Sequence, residues 1–132
     1  MFSRMLRAVL LAAMATAPAA AATPDCPTLD GDKILELLDQ APTCETSLAL
    51  FRDCSYAASG DVGLSEVVIR KCEADFLTKL STSQRQAYDR QQKRCARKYQ
   101  TQSGTMYRSF EVFCSANLAR DYSRRFAKGP KS

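Results

Sequence analysis

Cys26, Cys44, Cys54, Cys72, Cys95 and Cys114 are the residues of this chain best equipped for covalent chemistry, and the chain carries no histidine to work beside them. Without an imidazole there is no Ser-His-Asp or Cys-His nucleophile and no His-based zinc site. No C-x-x-C occurs and the spacings fit none of the usual thiolate clusters, so no metal site is expected. Six cysteines in a small chain read instead as a disulfide framework, formed outside the reducing cytoplasm. Glu66 with Glu73 or Asp75 offers the paired acids that glycoside hydrolysis requires. Carboxylates spaced this way along one exposed helix are, however, ordinary solvated charge. Phosphate-cradling loops are missing as well: the five glycines are scattered, and Ser59-Gly60-Asp61-Val62-Gly63 is not followed by Gly-Lys-Ser/Thr. The expectation is a protein with no catalytic residue and no cofactor.

The compartment is read from residues 1–22. Arg4 and Arg7 precede the apolar run 8–15, and Ala20-Ala21-Ala22 supplies an A-x-A cleavage site, the pattern of a signal peptide. The exported form then begins at Thr23, a single helical, disulfide-rich domain over 23–132 that is periplasmic or secreted. The apolar run falls far short of the roughly 20 residues that span a bilayer, so no transmembrane anchor is expected. Thr23-Pro24-Asp25 lacks the small residues that precede a lipidated cysteine. The remaining 110 residues hold one modest core, which covalent staples would reinforce.

Helical periodicity runs through the whole exported part and defines the elements that must position the cysteines. A first helix is predicted over 28–40, capped by Asp30 or Asp32 and stopped by Pro42. A second runs over 43–58, with Ser59-Gly60 as its stop. Leu64, Val68, Cys72, Phe76 and Leu80 recur at i,i+4 and predict a third from Asp61 to Leu80. Ser81-Thr82-Ser83-Gln84 has the form of a capping box and opens a fourth over 81–100, with Tyr88, Gln92, Cys95 and Tyr99 on its inner face. After a break at Gly104, a fifth runs to about Ala127, ended by Gly129-Pro130. The fold class expected is therefore all-α, a disulfide-stapled bundle of about five helices built from antiparallel hairpins.

Residues equally far from a tight turn come level in a helical hairpin. Cys95 and Cys114 lie nine and ten residues from Gly104 and should pair. Cys54 and Cys72 each lie nine from Gly63, which pairs them too and leaves Cys26 with Cys44. The crossed arrangement, Cys26 with Cys54 and Cys44 with Cys72, stays open, because six cysteines allow fifteen connectivities.

Charge divides the chain. Residues 23–80 hold 5 Lys/Arg against 11 Asp/Glu, whereas 81–132 hold 12 against 3, so the halves attract partners of opposite sign or neutralise each other. Arg85, Arg90, Lys93, Arg94, Arg97 and Lys98 with Tyr88 and Tyr99 resemble a nucleic-acid helix in composition. The export signal and the inward register of the tyrosines favour core packing, so no nucleic-acid partner is expected. The cations are free to meet anionic wall polymers or lipid head groups. Tyr107, Phe110 and Phe113 read as helix-packing aromatics.

The stretch Gln84-Arg85 … Cys95, then Gly104-Thr105-Met106 … Cys114 … Leu118 … Arg120 … Phe126, resembles the C-terminal signature of the LprI-type family of small exported bacterial proteins, which is associated with lysozyme inhibition. It covers about 45 residues. Ala87 stands where that signature has tryptophan, Gln91-Gln92 where it has Arg-Asp, and Tyr122 where it often has arginine. The resemblance implies a helical exported domain, a Cys95–Cys114 bond and a non-enzymatic inhibitor that occludes a muramidase. Asp30, Asp32 and Glu36 in the acidic half would then meet the cationic enzyme. The alternative is an envelope structural or interaction module whose basic C-terminal half binds anionic polymer or another protein. An exposed acidic patch would favour the first, an exposed Arg/Lys stripe the second.

Overall fold

The computed structural model describes residues 26–127. The signal peptide expected at 1–22, the start at Thr23 and the Gly129-Pro130 stop lie outside the described residues.

Local chemistry accounts for each helix start. Asp30 accepts hydrogen bonds from the backbone N–H of Asp32 (3.1 Å) and Lys33 (3.3 Å), opening α1 at Gly31–Gln40. Thr43 and Thr46 cap each other reciprocally at the start of α2, Cys44–Cys54. In α3, Asp61–Ala74, Asp61 is itself the first residue. A short 3-10 turn, Leu77–Lys79, leads to Ser81, whose hydroxyl accepts from Gln84 N–H (3.2 Å) while the Gln84 amide oxygen accepts from Ser81 N–H (2.8 Å). That reciprocal pair is the capping box read from the sequence, and it opens α4, Thr82–Tyr99. The last helix, α5, is Thr105–Phe126, entered through Gly104 at φ +117°, a conformation that a Cβ would strain. All regular elements among the described residues are helical, and three disulfides staple them.

Three boundaries differ from expectation. α1 begins at Gly31 rather than 28, because the Asp30 carboxyl caps it there. α2 stops at Cys54, because Asp61 gathers the following loop: its carboxyl accepts from the backbone N–H of Tyr56 (2.7 Å) and Ala58 (3.4 Å), on either side of Ala57 in the left-handed region at φ 53°. α3 stops at Ala74, and Phe76 leaves the helical path to enter a separate aromatic core.

The disulfides are Cys26–Cys54, Cys44–Cys72 and Cys95–Cys114. The crossed arrangement thus replaces Cys54 with Cys72 and Cys26 with Cys44. The cause is the position of the turn: Gly63 lies inside the first turn of α3, and the real connection is 55–60. Measured from the middle of that connection, Cys44 and Cys72 come level, whereas Cys54 sits beside the start of α3. There it meets Cys26, which precedes α1, because α1 and α2 fold back on one another around 41–43.

α1 with α2, α2 with α3 and α4 with α5 pack as hairpins, but the most extensive contact joins α3 to α5. Their relation is parallel. Ser109 Oγ donates to Asp61 Oδ2 and Ser123 Oγ to Asp75 Oδ2, each at 2.6 Å, so the same spacing of 14 residues, about 21 Å of helix, is matched on both. The principal core lies between α1, α2, α3 and α5, around Ile34, Leu38, Leu48, Phe51, Leu64 and Val68, with Phe51 stacked on Phe113 at 4.4 Å. The Cys44–Cys72 bond is buried within it. A second core of Phe76, Tyr88 and Tyr122 joins the end of α3 to α4 and α5. With α5 against α3 on one side, α4 packs chiefly on α5 and keeps its outer face in solvent.

Candidate functional site

α4 is the element on which chemistry-bearing side chains gather, and its register explains why. At 100° per residue, Tyr88, Gln92, Cys95 and Tyr99 cluster on one side, while Arg90, Lys93, Arg94, Arg97 and Lys98 fall within an arc of roughly 140° on the other. Tyr88 and Cys95 are buried, and all five cations are exposed. Arg85, at the start of the helix, pairs with Asp89 at 3.7 Å. Among the described residues none of the other five is ion-paired to a carboxylate. A continuous, unneutralised cationic face therefore runs along the C-terminal half of α4.

Behind this face the helix is locked by polar contacts. Tyr88 donates to Glu73 Oε1 (2.8 Å) and accepts from Gln92 Nε2 (2.7 Å), while Gln91 Nε2 donates to the Tyr122 hydroxyl (2.9 Å). The rings of Phe76, Tyr88 and Tyr122 meet one another at centroid distances of 4.8 to 5.5 Å. Gln91 and Gln92, which stand where the LprI-type signature has Arg-Asp, are thus the amides that satisfy the buried phenols. Burial, reinforced by the bond to Glu73, raises the Tyr88 phenol above the ordinary value of 10.0. The folded domain holds this proton more tightly than the unfolded chain does. Its contribution is complete below about pH 10 and declines as pH rises beyond it. We therefore expect the stability difference between the native protein and Tyr88→Phe to be constant through neutral pH and to shrink above pH 10. Urea midpoints of both proteins at pH 8 and at higher pH measure this; a difference that stays constant into alkali would contradict it.

Where α4 meets α5, a groove of about 420 Å³ opens to solvent. Arg94 and Lys98 line its α4 wall and Asn117 and Asp121 its α5 wall, with Leu118 and the Cys95–Cys114 bond between. Asn117 and Asp121 stand at i,i+4 on the face that α5 turns toward α4, a spacing visible in the sequence once the hairpin is accepted. No local pattern marks them as a pair, nor the buried Asp61–Ser109 contact that anchors the start of α5.

The acids expected to meet a partner lie on α1, away from this face. Asp30 is committed to capping and also sits 3.8 Å from Lys33 Nζ. Asp32 is exposed, and Glu36 accepts from Gln40 Nε2 (2.9 Å). Asp39, one turn further on, stands 3.7 Å from Arg70. Elsewhere in the acidic half, Glu45 is bonded to Arg124 and lies 4.0 Å from Arg120, and Asp61 and Asp75 accept from serines within the bundle. The two halves therefore neutralise each other in part at the α2–α5 contact; Asp32, Glu36, Asp53 and Glu66 stay exposed without a cationic partner among the described residues, and the α4 cations form the row of unpaired charge on a single helix face. The carboxylates considered for glycoside hydrolysis do not converge: Glu66 is exposed, Glu73 serves Tyr88 and Asp75 serves Ser123.

Among the described residues, no three or more His, Cys, Asp or Glu side chains gather as metal ligands, and no helix is long and apolar enough to cross a membrane. The fold and this surface define a disulfide-stapled all-α scaffold presenting one cationic helix. No family model, curated protein or solved structure matches the chain.

Proposed function

We propose that this protein is an exported, non-enzymatic binding module of the cell envelope that meets an anionic polymer or surface through the outer face of α4. The observation that carries the reading is the row Arg90, Lys93, Arg94, Arg97 and Lys98, exposed and without described acidic partners on a helix whose other side is locked into the bundle. A rigid scaffold of this kind loses little conformational entropy on binding, and its charge raises the encounter rate with polyanions. Compartment and signal peptide belong to the same proposal, supported by three disulfides with no free cysteine among the described residues.

Binding of the oxidised protein to a poly(glycerol phosphate) polymer or to heparin tests it. Replacing Arg90, Lys93 and Arg97 together by glutamine should weaken binding by about tenfold at roughly 0.1 M salt, and added salt should weaken the native protein likewise. Affinity unchanged by either treatment would defeat the reading.

A second reading follows the LprI-type resemblance: occlusion of a lysozyme through Asp32 and Glu36, which are exposed on neighbouring turns of α1. Asp30→Asn retains a capping oxygen, so Asp30→Asn, Asp32→Asn and Glu36→Gln combined remove charge without removing the cap. If the second reading holds, that variant inhibits lysozyme less than the native protein does, and the α4 variant inhibits equally.

A further inference from the structure

We propose that the tip of the α4–α5 hairpin is a membrane-docking element that seats Met106 and Phe110 in the head-group region of an anionic lipid bilayer. The inference rests on the α4 reading above and names the surface that α4 meets. Met106 and Phe110 are 47% and 42% exposed, two of four large apolar side chains so exposed among the described residues. They stand at i,i+4 on one face of α5, and Phe110 lies 6.0 Å from both Tyr99 and Tyr107 between ring centroids. From Tyr99 to Tyr107 the chain carries no charged residue, so the tip can leave bulk water without burying an ion. Cations stand immediately outside that interval: Arg97 and Lys98 before it, with Lys98 Nζ 5.2 Å from the Tyr99 ring centre, and Arg108 after it, paired with Glu111 at 3.4 Å. Apolar side chains at the point, tyrosines beside them and a cationic collar behind are the arrangement that anionic interfaces bind.

Its anchoring suits the task. Ser109, next to Phe110, is buried and donates to Asp61, which fixes the first turns of α5 against α3 while Met106 and Phe110 project outward. The other two exposed large apolar residues, Leu29 and Tyr56, form a separate contact in which the Tyr56 hydroxyl donates to Leu29 O.

End-on docking makes a graded claim. Arg97 and Lys98 lie within the last turn of α4, whereas Arg90 is about 12 Å further from the tip, beyond the roughly 10 Å Debye length at 0.1 M salt. Lys98→Gln should therefore weaken vesicle binding by about fivefold, and Arg90→Gln by less than about twofold. A polymer lying along α4 would feel both losses alike.

The test uses the oxidised protein and vesicles of phosphatidylcholine containing about one third phosphatidylglycerol. Met106→Ser with Phe110→Ser should reduce partitioning about thirtyfold while leaving heparin binding unchanged. Because the chain has no tryptophan, Phe110→Trp is a sole reporter, and its emission should shift to the blue and be quenched by lipids brominated on their acyl chains. Adsorption without quenching, or equal losses from Lys98→Gln and Arg90→Gln, overturns the docking proposal. Heparin binding without vesicle binding also overturns it while leaving the α4 reading intact, and failure to bind either defeats both.

Discussion

Replacing Cys44 and Cys72 together by alanine is expected to destabilise the domain by about 4 kcal/mol, a large part of the stability of a protein this size. The bond joins residues 28 apart, and restricting an unfolded loop of that length accounts for roughly 3.5 kcal/mol in the chain-entropy description. Both sulfurs also lie in the principal core, where Cys44 is 4% and Cys72 0% exposed, so their removal leaves unfilled volume beside Leu38, Leu48 and Val68. The Cys95–Cys114 bond spans 19 residues and borders the open α4–α5 groove, so the corresponding double replacement should cost less, about 3 kcal/mol. Urea unfolding of the two variants checks the order. A larger loss at Cys95–Cys114 would show that the α4–α5 hairpin, rather than the α1–α2–α3 core, dominates stability.

Asp61→Ala should be nearly as damaging, by about 3 kcal/mol, although it removes only a small side chain. Asp61 is fully buried and its two oxygens accept from Ser109 Oγ, Tyr56 N–H and Ala58 N–H. Truncation leaves the buried Ser109 hydroxyl without its partner, frees the part-buried N–H groups of Tyr56 and Ala58, and releases the loop that holds Ala57 at φ 53°. Ser109→Ala removes one partner and should cost about 1 kcal/mol, and the double variant should cost less than the two losses added. Calorimetry of the cycle measures the coupling, and strict additivity would mean that the 2.6 Å contact carries no energy of its own. Because Ser109 adjoins Phe110, Ser109→Ala should also loosen the start of α5, visible as faster amide exchange at 106–110 than in the native protein.

Much of this architecture was legible locally. Capping chemistry depends on residues three apart, so Ser81-x-x-Gln84 placed the start of α4 at its observed position, and Asp30 was a correct candidate for the cap of α1. Inner and outer faces followed from period: Tyr88 and Cys95 are buried and the cations exposed, as the register of α4 required. Helix ends were less legible. α2 and α3 each continued in the apolar pattern beyond their real termini, because the forces that stop them come from elsewhere: the Asp61 carboxyl beneath the loop after α2, and the Tyr88 and Tyr122 rings that draw Phe76 out of line.

The disulfide connectivity shows the same division. Turn symmetry succeeded at Gly104, where the glycine is the actual break between α4 and α5 and occupies a backbone region that other residues avoid. It failed at Gly63, because a glycine inside a helix is locally indistinguishable from one in a turn, and a displaced centre exchanges every partner. The α3–α5 contact was not visible at all. Its two Asp–Ser pairs join residues 48 apart, and no periodicity within either helix records which other helix it will face.

By itself, then, the sequence determined the helical class, the inward and outward faces, the oxidised cysteine framework and the cationic character of α4, since each depends on residues within a few turns of one another. Tertiary structure alone decided which cysteines meet, which acids are spent on Arg124, Ser109, Ser123 and Tyr88, and that no acid among the described residues reaches the positive face of α4 behind Met106 and Phe110. Neutralisation is a matter of distances between side chains remote in the chain, and those distances exist only once α5 has packed parallel to α3.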